Sequence, residues 1–99
     1  MRNNFEKFIS GEVLVSLTTS KEVSKFIYTM TYLNFSSILD IPVEEIKINA
    51  CKGYCVEYVP GEGFVFDFIS NINALTYDMY ANIEVISLKE LFGNCITMV

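Results

Sequence analysis

Ninety-nine residues fit one domain, since single domains most often run ~100–150 residues, and a hydrophobic fraction of 52% excludes intrinsic disorder. A net charge of −5 argues against a sequence-independent nucleic-acid binder, which needs Lys and Arg for phosphate contacts. No apolar run approaches the ~18–20 residues that span a bilayer, and Glu6 and Lys7 fall where a signal peptide needs an unbroken apolar stretch, so the expected location is cytoplasmic.

Residues 1–9 carry Phe5, Phe8 and Ile9 at helical spacing before Ser10-Gly11 breaks the pattern. They form either one or two docked helical turns or a frayed end. Residues 12–17 place Val13, Val15 and Leu17 on one face, which predicts a strand. Thr19-Ser20-Lys21-Glu22 is a capping box, a hydroxyl at the N-cap with a Glu three residues on. The helix it opens puts Val23, Phe26, Ile27, Met30 and Leu33 on one stripe. Lys21 and Lys25 lie one turn apart on the other side. In residues 35–50, Ser36-Ser37 predicts a short turn carrying Ile38 and Leu39, and the pre-proline position at Ile41 breaks it. Residues 43–48 fit a helical turn or a strand, and the alternation of Ile46 and Ile48 with Lys47 and Asn49 favours strand.

Residues 51–70 read as a β-hairpin hinged on Pro60-Gly61-Glu62-Gly63. With that loop at the tip, Val59 faces Phe64, Glu57 faces Phe66 and Cys55 faces Phe68. One face then collects Cys55, Val59 and the three Phe residues as core. The opposite face collects Tyr54, Val56, Tyr58, Val65, Asp67 and Ile69. Glu57 on the Phe side demands either a sheet edge or a register shifted by one.

After the hairpin, residues 70–81 read as a loop with a helical turn at 74–80, and residues 83–86 as a further strand. Ser87-Leu88-Lys89-Glu90 repeats the capping box and starts a short helix ending at Gly93. Residues 95–99 are an apolar tail suited to a sheet edge. The expected class is α+β: a single domain at 1–99, with an antiparallel sheet of three to five strands and one main amphipathic helix, at about 20–34, on one face.

Chemistry is sparse. With no histidine, the side chain best suited to base work at neutral pH is missing, and no Ser-His or Cys-His nucleophile pair can form within the chain. Pro60-Gly61-Glu62-Gly63 has the wrong spacing for a phosphate loop and an acid where phosphate would sit. Cys51, Cys55 and Cys95 fall short of the four ligands of a structural zinc site and read as reduced thiols. Glu44-Glu45 are neighbours that do not converge on one substrate. The expectation is no catalytic residue, no metal and no cofactor.

Charge distribution says more. Between Lys52 and Lys89 there is no Lys or Arg, while Glu57, Glu62, Asp67, Asp78 and Glu84 all fall there. Acids beside Tyr54 and Tyr58 make a surface suited to a basic protein partner. The expected partner-binding set is Tyr54, Glu57, Tyr58, Glu62, Asp67 and Asp78, without direct contact to nucleic acid or membrane. The bland alternatives are acids that only keep an apolar chain dissolved and a Tyr face that other parts of the chain cover. Tyr28, Tyr32, Tyr77 and Tyr80 show no discriminating pattern.

Eleven Ile, eight Asn, eight Phe and six Tyr suggest an AT-rich coding genome. The chain pairs a strand and capped helix (EVLVSLTTSKEVSKFI) with an aromatic hairpin (CVEYVPGEGFVFDFI) and closes with a strand and short helix (IEVISLKELF). In this layout it resembles small acidic accessory proteins of phages and mobile elements from low-GC bacteria. The resemblance implies a non-enzymatic role, binding and blocking a host protein such as a nucleic-acid-handling defence system, as anti-CRISPR proteins do. A nucleotide-sequestering protein is the alternative, although few basic residues are available for phosphates. A homodimeric structural module is another.

Overall fold

The computed structural model describes residues 3–38, 42–68 and 83–93. The strands are β1 (Val13–Leu17), β2 (Tyr54–Val59), β3 (Gly63–Phe68) and β4 (Glu84–Ser87). The helices are α1 (Asn4–Ile9), α2 (Ser20–Tyr32), α3 (Val43–Ile48) and α4 (Leu88–Phe92), with a 3₁₀ turn at Ala50–Lys52. The sheet runs β3-β2-β1-β4. The class is α+β, and the four strands fall within the expected number. One pairing differs from the expected pattern: β1–β2 and β2–β3 are antiparallel, but β4 lies parallel to β1, so the sheet is mixed. All of the chain from α2 to β3 intervenes between β1 and β4 and supplies the crossover that a parallel pair requires.

α1 is a docked helix. Asn3 Oδ1 accepts from the Glu6 amide at 2.8 Å, and Phe8 is fully buried. α2 is capped as expected, with Thr19 Oγ1 accepting from the Glu22 amide at 3.1 Å. The return limb reaches past the N-cap: Glu22 Oε1 accepts from both the amide and the hydroxyl of Thr18, each at 3.0 Å. Val23, Phe26 and Met30 are buried, and Thr29 joins them. The helix stops at Leu33, and Asn34 takes the left-handed conformation (φ 68°), which Asn tolerates better than most residues.

Residues 36–38 do not form a turn. They run beside the edge strand, where the Phe64 amide donates to Ser36 O and the Ile38 amide to Phe64 O. Leu39 lies outside the described residues. Residues 43–48 form helix α3, against the strand preference. Glu44 and Glu45 stand in its first turn and Lys47 in its last, each the sign the helix dipole favours at that end. Ile46 is buried while Ile48 is 76% exposed, so the alternation does not mark a half-buried strand. In α4, Ser87 and Glu90 make the full reciprocal box, and Gly93 ends the helix at φ 56°.

The main core cluster lies on one face of the sheet. Val13, Val15, Leu17, Tyr54, Val56, Phe64 and Ile86 meet Phe8 of α1, Val23, Phe26 and Met30 of α2, Ile46 of α3, and Leu88, Leu91 and Phe92 of α4. The second face carries Leu14, Ser16, Cys55, Glu57, Val65, Asp67 and Val85, as the pairings require; Leu14 and Cys55 are buried there, Glu57 and Val65 half-buried, and Asp67 and Val85 exposed. The expected loop at 70–81 and the tail at 95–99 lie outside the described residues.

Candidate functional site

The hairpin register decides which residues can meet a partner. The loop is three residues, Pro60 to Glu62, closed by the Glu62 amide donating to Val59 O at 2.9 Å. Gly63 belongs to β3 and pairs with Val59, so Tyr58 faces Phe64, Val56 faces Phe66 and Tyr54 faces Phe68. This is the register shifted by one. Gly63 explains the shift: its φ is 145°, and a Cβ there would stand 2.3 Å from Ser36 O. Glycine lets the residue 36–38 segment lie against the strand at the point where a turn is expected.

The slip exchanges the two faces of β2. Tyr54 is buried, with its ring stacked on Phe68 at 5.1 Å and edge-on to Phe66 at 5.5 Å. Burial, and after it the Glu45 carboxylate, raises its phenol above the usual tyrosine range. Tyr58 is half-buried between Phe8 and Phe35, with centroids at 5.9 and 5.5 Å. Of the two expected contact tyrosines, Tyr54 is therefore a core residue and Tyr58 packs against the core, because they share the Phe face. Glu57 and Asp67 lie on the second face. Glu62 is exposed at the tip. Asp78 lies outside the described residues.

Cys55 lies beside those acids and opposite Asp67. Its thiol is pushed up to about 11, first by burial and then by the Asp67 and Glu57 carboxylates. A thiol held protonated at neutral pH is a poor nucleophile. Cys51 is an exposed free thiol, and Cys95 lies outside the described residues. Among the described residues, no three Cys, Asp or Glu side chains are grouped to hold a metal ion, and no helix is long and apolar enough to cross a membrane.

Two features went unread in the sequence. Tyr28 and Tyr32, one turn apart on the outer side of α2, are 63% and 76% exposed and are the described tyrosines that do reach solvent. Their absence from the apolar stripe of α2 was the available signal. The second is a cleft of about 440 Å³ between α2 and α4, lined by Lys21, Glu22, Lys25, Leu88, Lys89 and Phe92. Nothing local links Lys89 to Lys21 and Lys25, more than sixty residues earlier. A smaller hollow of about 210 Å³ lies between α3 and β3, above Tyr54, Phe66 and Phe68 with Glu45 at its rim.

No known family matches the chain, and no curated protein or solved structure matches it either.

Proposed function

We propose that this protein is a non-enzymatic binding module that docks a positively charged protein surface through the acidic face of its β2–β3 hairpin. Following the resemblance to small phage accessory proteins, the partner is a host factor, such as a nucleic-acid-handling defence complex, whose basic channel the acidic face occupies. The observation that carries this reading is the segregation of charge. Glu57 and Asp67 share one sheet face and Glu62 stands exposed at the hairpin tip, all inside a stretch without a Lys or Arg. Fields of one sign steer association with a surface of the opposite sign and suppress other partners. Tyr54 and Tyr58 lie on the opposite side of the hairpin, so the proposed contact set is Glu57, Glu62 and Asp67.

The test is the triple reversal Glu57→Lys, Glu62→Lys, Asp67→Lys, assayed by affinity capture from host extract and by titration against the captured protein. The expected outcome is a loss of affinity of about 100-fold or more, with the far-UV spectrum unchanged. Equal affinity of the folded triple variant and the wild type removes the proposal.

A further inference from the structure

We infer that the cleft between α2 and α4 is a binding site for a small organic phosphate, of the size and chemistry of a nucleoside phosphate. Three lysines line it, Lys21 and Lys25 on α2 and Lys89 on α4. Among the described residues, none of the three has a carboxylate within ion-pair distance, and Lys47 pairs with Glu44 elsewhere on the molecule. Lys21 and Lys25 are one helical turn apart, an arrangement in which like charges oppose folding. The tertiary fold brings a third cation to them in a chain whose net charge is −5. An anion seated among the three relieves that repulsion.

Glu22, the one acid of the lining, faces back toward the helix start. Its Oε1 accepts from the Thr18 amide and hydroxyl and from Thr19 Oγ1, and the Thr18 amide, as the leading cause, holds its pKa below the ordinary value. The amino end of α2, a helix of 13 residues, already holds the Glu22 carboxylate, so the attraction for an anion comes from the three lysines. Leu88 and Phe92, both largely buried, and Gly93 complete the lining. Inorganic phosphate would leave the apolar edges of Leu88 and Phe92 unused, whereas a base or another flat apolar group meets them. The volume lies within the ~300–1,000 Å³ of small-molecule sites. The scarcity of cations in the sequence argued against phosphate ligands, but half of the six described lysines meet here.

Calorimetric titration of the whole chain with ADP and with inorganic phosphate tests the site. ADP is expected to bind, and to bind about tenfold or more tightly than inorganic phosphate. Each of Lys21→Gln, Lys25→Gln and Lys89→Gln, which keep the length of the stem, should weaken ADP about tenfold, and the triple variant should abolish binding. No heat with ADP at ~1 mM, or undiminished binding by the triple variant, overturns the inference. So does a dimer, seen by sedimentation, that dissociates in the triple variant while ADP has no effect, since the cleft would then receive the acidic face of a second copy. These variants leave Glu57, Glu62 and Asp67 intact, so failure here is separate from failure of the partner-binding proposal.

Discussion

Gly63 shows how far one residue without a side chain controls this protein. Read in sequence beside Pro60 and Gly61, it belongs to a turn. In the structure it is a paired strand residue with Ser36 O where its Cβ would be. That moves Tyr54 and Tyr58 into the core and Glu57 and Asp67 to the opposite face. Gly63→Ala is therefore expected to cost more than ~2 kcal/mol, because the obstacle is backbone that cannot rotate away. Gly61→Ala meets nothing within 4 Å and should cost only the ~1–2 kcal/mol of a side chain at positive φ. Urea unfolding of the two variants checks the difference, and equal losses would contradict the close approach.

At the scale of the element, capping chemistry was the most legible part of the chain. Thr19 and Ser87 both cap helices where the hydroxyl-to-Glu spacing expects them, because such a box closes within four residues and needs no tertiary partner. Residues 43–48 form a helix although Ile46 and Ile48 satisfy a strand period by chance, and only burial shows that Ile48 is not packed. The α2 cap also carries a pH dependence. Folding lowers the Glu22 pKa, chiefly through the Thr18 amide. Its contribution is then complete above the ordinary value of 4.5 and fades as the pH falls through the lower folded value. Between about pH 5 and pH 3 the wild type should lose more stability than Glu22→Gln, whose amide oxygen still accepts from Thr18 but does not titrate. Denaturant midpoints across that range measure it, and parallel curves would show that the charge adds nothing.

Across the whole molecule, aromatic rings join the layers. Phe26 of α2 meets Phe8 of α1 at 5.9 Å and Phe64 and Phe66 of β3 at 5.2 and 5.7 Å, all edge-on. Phe5 connects α1 to Phe35 and to Phe92 of α4, and the Asn4 side-chain Nδ2 donates to Glu90 O at 3.0 Å. α1 is therefore an integral part of the core. Phe26→Ala should cost ~3–5 kcal/mol, a large share of the ~5–15 kcal/mol that typical domains possess. Tyr28→Ala, two residues on and exposed, should stay within ~0.5 kcal/mol. Thermal or urea unfolding distinguishes them, and comparable losses would place Tyr28 in a contact that its exposure denies.

The sequence by itself determined the α+β class, the extent of β1, the two capped helices, the stripe of α2 and the cation-free stretch after Lys52. Each of these is written in spacing or composition over a few neighbouring residues. Tertiary structure alone decided the parallel β1–β4 pairing, the face on which Tyr54, Tyr58, Glu57 and Asp67 lie, and the meeting of Lys89 with Lys21 and Lys25. The reason is physical. Side chains alternate with a period of two, so one residue of slip inverts a face without changing the local pattern, and contacts between distant segments leave no mark in either.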